Sequence, residues 1–347
     1  MNPNSTQTAA SIETHRRGTT MQSFDPDVMA VALQGVRLEH VQLESGVFRG
    51  QIAHTASADA RVDWGRYGLS VLSRGDLNTE MVTLMVGIGG HGDWRAHGQR
   101  AVTGDIVVFP ERGELLMACP PQAQWLSMQV PRHRLELAGL STHRCFSGSA
   151  HRMPGAIHAS LQQALDDLAP ALAPPGGALG LGDAEINQAH NELLSVLLSE
   201  LVRRGGAGDA GVSISPGERW RVIRRAEEFL DGNDSPAVRI DDLCVAACTS
   251  LSRLERAFRE AFGVGPRRLL TMRRLAAVRS ELLRGQADAA VTEIATRWGF
   301  FHLGQFSKEY RALFAERPSD TLRASRGLLA SNRGEAWAGP RGGAGTS

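Results

Sequence analysis

The chain has 347 residues, 42% of them hydrophobic and 22% charged, with a formal net charge of +1. This suits a folded chain of roughly two domains and excludes collagen-like or wholly disordered classes. No run of about eighteen apolar residues occurs, so no membrane partner is expected. The four scattered cysteines (Cys119, Cys145, Cys244, Cys248) make no disulfide framework, which points to a cytoplasmic location.

Residues 1–20 are polar, lack the apolar stretch of a secretory signal and read as a disordered leader. Met21 offers a second start. A first domain is expected over 21–204, with strands over about 30–140 and helices over about 153–204. In the strand region, short β-branched runs such as Val82–Val86 and Ile106–Phe109 alternate with turn glycines including Gly90, Gly98, Gly104 and Gly113. The pattern predicts an antiparallel barrel or a two-sheet jelly roll. An apolar pocket with a few polar groups would suit a small effector. Trp64, Tyr67, Trp94 and Trp125 are candidates to line it, and Arg66, Arg95 and His97 are candidates to pair with an anionic one. His91 and His97 share strand parity, but no carboxylate stands at convincing ligand spacing, so no metal is expected. No nucleophile elbow or phosphate loop is present, and neither an enzyme nor a cofactor is expected.

From Ile157 to Leu172 and from Ile186 to Leu201, apolar residues recur at helical spacing on either side of a break at residues 173–177. These leucine-rich helices suit either homodimerisation or cover for the strands. Residues 205–215 are a Gly/Ala/Ser linker, expected to let the two halves move independently. An all-α domain is expected over 216–324, followed by a disordered tail over 325–347. Residues 216–326 hold 20 of the 38 basic and 15 of the 37 acidic side chains, so the positive charge lies in the second half.

That half repeats one pattern, a short helix, a tight turn and a longer amphipathic helix, over about 241–262 and 289–312. In the first copy Leu243, Ala246 and Ala247 form the stripe and Ser250 is the expected N-cap. Leu254, Ala257, Phe258 and Phe262 are the expected buried face, with Gly263 as the stop. In the second, Ile294, Ala295 and Trp298 form the stripe, Gly299 makes the turn, and Phe306, Tyr310, Leu313 and Phe314 are the expected buried face. The opposite faces carry Ser252, Arg253, Arg256 and Arg259, then His302, Gln305, Lys308 and Arg311. Such side chains reach base edges and phosphates in a major groove, so double-stranded DNA is the expected partner.

These segments resemble the AraC/XylS transcriptional regulators. The resemblance rests on Arg297-Trp298-Gly299-Phe300 with Phe306-Ser307 and Phe314, on Phe258-Arg259 with Gly263, Pro266 and Leu269, and on Pro318-Ser319 with Leu322 and Arg323. It spans Trp220 to Arg323. Cys248 departs from it, standing where a turn glycine is usual, and so does Gly265, where a serine often precedes the proline. Leu251 and Glu255 make the first reading face less polar and less basic than many.

The resemblance implies a two-domain α+β regulator. Its N-terminal part would be a cupin-like antiparallel β-barrel with flanking helices, and its C-terminal domain all-α with two helix-turn-helix motifs. It also implies a ligand-responsive activator, with RNA polymerase as a further partner. Two alternatives stand beside this: a constitutive DNA-binding regulator whose barrel only dimerises, and a cupin-type metal enzyme fused to a DNA-binding module.

Overall fold

The computed structural model describes residues 11–14, 18–23, 26, 29, 36–57, 59–77, 80–138, 140, 150–157, 159–172, 183–205, 212–213, 217–233, 238–284 and 290–335. Cys145, the break at 173–177, most of the 205–215 linker and the tail beyond 335 lie outside them. The strands are β1 (Ser11–Thr14), β2 (Gly18–Ser23), β3 (Arg37–Gln42), β4 (Gly50–Ala56), β5 (Arg61–Tyr67), β6 (Val71–Asp76) and β7 (Met81–Gly89). They continue with β8 (Trp94–Ala96), β9 (Gln99–Ala101), β10 (Ile106–Phe109), β11 (Glu114–Cys119), β12 (Ala123–Pro131), β13 (His151–Met153) and β14 (Val212–Ser213). The helices are α1 (Arg132–Leu137), α2 (Ala159–Leu172), α3 (Asp183–Gly205), α4 (Glu218–Asp231), α5 (Ile240–Ala246) and α6 (Leu251–Phe262). They end with α7 (Pro266–Leu283), α8 (Val291–Arg297), α9 (Leu303–Phe314) and α10 (Pro318–Glu335).

The strands form two antiparallel sheets. The larger runs β1-β2-β4-β5-β12-β7-β10-β13-β14 and the smaller β3-β6-β11-β8-β9. Each sheet has two edges, so the described residues contain no closed barrel, and the expected barrel is corrected to two packed sheets. Three further expectations change. Ser11–Thr14 and Gly18–Ser23, mostly within the expected leader, form strands, and β2 pairs with β4. Within the expected linker, Val212–Ser213 pairs with β13. The last helix runs to Glu335, into the expected tail.

Side-chain alternation sorts the layers. On β11, Leu115, Met117 and Cys119 point between the sheets, while Leu116 and Ala118 point away. Between the sheets lie Phe48, Tyr67, Met85, Trp94, Phe109 and Trp125. Gly65 lies under the Trp125 ring, and a Cβ there would collide with it. The outer face of the large sheet buries Leu84, Leu126 and Met128 against Leu161, Leu168, Leu193, Leu197 and Leu201. The helix leucines therefore cover the sheet, the second of the two roles the sequence leaves open.

The outer face of the small sheet is apolar too. Val41, Leu43, Leu72, Leu116 and Ala118 share one core with Leu243, Leu254, Phe258, Leu275, Phe306 and Leu313. Independent motion of the halves is corrected accordingly: sheet and C-terminal helices bury a common surface. Apolar burial of this kind stabilises at roughly 25 cal/mol per Å². Among the described residues no helix is long and apolar enough to cross a membrane.

Candidate DNA interface and effector sites

The first helix-turn-helix is α5 and α6. Its turn places Cys248 in the left-handed region at φ 49°. The Ser250 hydroxyl accepts from the Arg253 backbone N–H, and Gly263 ends α6 at φ 78°. Leu254, Ala257, Phe258 and Phe262 are buried as the periodicity requires. The second unit is α8 and α9, with Gly299 at φ 80° in the turn. Phe306, Tyr310, Leu313 and Phe314 are buried. The Trp298 indole donates to Glu281 at 2.9 Å, tying α8 to α7. Arg279, buried on α7, reaches Glu316 at 3.0 Å, which accepts from Thr321; the Thr321 hydroxyl also meets the Tyr310 hydroxyl. The helix joining the two units has 18 residues, a length of about 27 Å at 1.5 Å per residue.

All eight expected DNA-contact residues (Ser252, Arg253, Arg256, Arg259, His302, Gln305, Lys308 and Arg311) are exposed. Three are engaged: Arg253 with Glu218 at 3.3 Å, Arg259 with Glu255 at 3.1 Å and Gln305 with Glu309 at 2.8 Å. Arg256 and Lys308 have no ion pair among the described residues. His302 is the N-cap of α9, and its side chain caps nothing.

Two links hold this domain to the small sheet. In the first, Arg74 of β6 meets Glu227 of α4 at 2.6 Å, Asp231 at 2.7 Å and Glu39 of β3 at 2.6 Å. Arg273 of α7 also reaches Glu227, at 3.2 Å. Burial opposes the Arg74 charge, but Glu227, Glu39 and Asp231 more than offset it and hold its pKa above the ordinary guanidinium value. In the second, the Leu313 carbonyl, left without a helical partner near the end of α9, accepts from the Gly46 N–H and from Gln42 Nε2, each at 2.9 Å. These links tie the small sheet to α4, α7 and the second unit, and the β8–β9 turn lies against α6 of the first, with Gly98 beside Ala261.

The five expected effector residues do not converge. Trp94 is buried between the sheets; Trp64 packs toward α2 and α3, and Arg66 is exposed. Odd residues of β5 point inward, so these two face away from Tyr67. Arg95 and His97 lie on the side of the C-terminal helices. The interior cavity holds only about 40 Å³, lined by Tyr67 and Trp125 as expected and by His40, Ser73, Thr83 and Ser127. That is room for water rather than for a metabolite. Burial lowers the His40 pKa to about 4, and its Nε2 meets the Tyr67 hydroxyl at 2.8 Å.

A larger cleft, about 480 Å³, lies between the β8–β9 turn and helices α4 and α6. It is lined by His97, Gln99, Trp220, Val222, Arg253 and Arg256, among others. His97 adopts φ 48° and is buried with its ring 4.6 Å from that of Trp220. Sequence reasoning singled out His97 but missed Trp220, because nothing local joins residues so distant in the chain.

Paired recognition helices with exposed polar faces, fixed by one linking helix, define a DNA-binding transcription regulator. A helix-turn-helix domain model matches residues 243–324. XylDLEGF operon transcriptional activator 2 of Pseudomonas putida is 33% identical over 132 residues, 38% of this chain and 78% of that protein. The chain is also similar to the probable thc operon regulatory protein of Rhodococcus erythropolis, 34% identical over 103 residues, 29% of this chain. There the match spans only 31% of the relative's length. A solved structure of a probable AraC family transcriptional regulator from Rhodopseudomonas palustris CGA009 is 30% identical, covering 30% of this chain and 97% of that one with a TM-score of 0.29. The chain belongs to the AraC/XylS family of transcriptional regulators.

Proposed function

We propose that the protein is a ligand-responsive transcriptional activator, not an enzyme. Its α6 and α9 enter successive major grooves on one face of a duplex, and a domain of the cupin-like kind over residues 21–204 senses a small molecule. One observation carries this: two exposed recognition faces stand at the ends of one rigid helix that also packs on the sheet. Arg256 and Lys308 are placed for base or phosphate contact, with Ser252, Arg253, Arg259, His302, Gln305 and Arg311 beside them. Arg259 and Arg311 suit phosphates. The activator role follows the printed name of the Pseudomonas relative, and contact with RNA polymerase goes with it. The shared core and the Arg74–Glu227 link give ligand binding a physical route to the recognition helices, through unequal affinity for two arrangements.

The test is selection of bound fragments from the source genome by purified full-length protein. Enrichment of sites with two short blocks about one helical turn apart, roughly 34 Å, is the expected result. Enrichment of single blocks only, with and without cell metabolites, would refute bipartite reading.

A further inference from the structure

The cleft between the β8–β9 turn and the DNA-binding helices has the components of a ligand site that belongs to neither half alone. From the helical side come the exposed Arg256, without an ion pair among the described residues, and Arg253, held by Glu218 only at 3.3 Å. The 14-residue helix α4 also opens onto the cleft, and among the described residues no side chain caps its N-terminus at Gly217. Uncapped N–H groups and guanidinium groups both favour an anion. Glu218 in the first turn of α4 opposes it, but three arginines line the cleft against this one carboxylate. Arg219, the third, is held by Glu260 at 2.6 Å. Trp220, Val222 and Ala257 provide apolar surface.

From the sheet side comes His97, 7% exposed, whose Nε2 has no hydrogen-bond partner among the described residues. Its ring bonds to the Glu114 backbone, and burial keeps its pKa near 4, so the imidazole is neutral at pH 7. A carbonyl only accepts, so Nδ1 is the donor nitrogen and Nε2 offers a lone pair. The missing partner is therefore an O–H or N–H donor. A buried acceptor left unmatched is costly, and a ligand hydroxyl would remove that cost.

We propose that this cleft binds a small hydroxylated organic anion. Its carboxylate lies toward Arg256 and the α4 N-terminus, its body on Trp220, and its hydroxyl on His97 Nε2. The volume of about 480 Å³ falls within the range of small-molecule sites. The proposal deepens the ligand-responsive reading and rests on it. It also fixes a sign: a carboxylate on Arg256 competes with DNA for that side chain, so ligand and DNA weaken each other's binding by the same factor.

The experiment is calorimetric titration of the full-length protein with lactate, 3-hydroxyhexanoate and 4-hydroxyphenylacetate, each beside the matching acid without hydroxyl. At least one hydroxy acid is expected to bind with Kd below about 1 mM, and its matching acid about tenfold more weakly. Gln99→Trp, at a half-exposed position where a large ring fills the cleft, is expected to abolish binding without lowering the thermal midpoint. Trp220→Ala is a second variant with the same expectation for binding. Absence of binding by all three hydroxy acids overturns the proposal, as does binding that survives both variants. Bipartite DNA selection on the same preparation separates the two readings: intact selection with no acid bound leaves the regulator standing and removes only this site. A metabolite-extract thermal shift that persists in Gln99→Trp places the effector elsewhere and overturns the proposal while keeping ligand response.

Discussion

The two helix-turn-helix units share one plan and differ in what surrounds them. The first recognition helix, α6, has a side against the β8–β9 turn, and two of its three arginines are occupied by carboxylates. The second, α9, meets the sheet chiefly at its last turn, through the Leu313 carbonyl. Their turns differ too, with Cys248 and Gly299 both in the left-handed region. The difference teaches that one unit lies against the N-terminal half along its length, while the other is anchored to it at one end.

The largest expected effect comes from breaking the link between the small sheet and helices α4 and α7, on which the first unit packs. Glu227→Ala removes the buried one of three carboxylates that Arg74 and Arg273 share, leaving them Glu39 and Asp231. Because both arginines keep two carboxylates, the loss is that of charged hydrogen bonds, about 1.5–3 kcal/mol. Chemical denaturation should show that loss, and an unchanged midpoint would mean the halves are not coupled there.

Base reading comes next. Arg256→Ala should lower discrimination at one position of the first block by about 1–3 kcal/mol. Lys308→Ala acts on the second block, and Arg311→Ala should weaken all sequences alike and reduce the salt slope by about 1. Binding curves across salt concentrations distinguish these. Identical effects on both blocks from Arg256→Ala would erase the contrast between the units.

The turns give a smaller pair of effects. Gly299→Ala forces a Cβ into the left-handed region and should destabilise by about 1 kcal/mol. Cys248→Gly relieves strain already present and should stabilise by about 0.5 kcal/mol. Opposite shifts in thermal midpoint are the expected outcome, and shifts of the same sign would show that the turns are not equivalent. The sequence made this contrast visible, because a residue that turns two helices tightly is identifiable from its neighbours alone.

A pH-dependent effect, absent at neutral pH, sharpens the assignment of the buried histidines. His40, His97 and His190 have pKa values lowered to about 4, burial being the main cause. Between an unfolded value near 6.5 and about 4, the unfolded chain binds more protons than the folded one. Stability should therefore fall as pH drops through that window and be fully retained above it. In urea titrations from pH 7 to 4.5, His97→Gln should flatten part of the slope, and an unaltered slope would show that His97 protonates freely.

Sequence alone determined the helical half. The stripes at Leu254–Phe262 and Phe306–Phe314, the Ser250 cap and the turns at Cys248 and Gly299 depend on neighbours within one or two helical turns, so they are legible without a fold. Local pattern also showed that strands precede helices, and the continuous apolar run at Leu115–Ala118 carries a trace of burial on both faces. It did not show what covered each face. Which side Trp64, Arg66, Arg95 and His97 occupy is set by strand register, and a one-residue slip reverses every side chain. The meetings of Arg74 with Glu227, of His97 with Trp220 and of Gln42 with Leu313 join segments far apart in the chain. Only the tertiary structure decided them, because the energy of each contact exists only once both segments have been brought together.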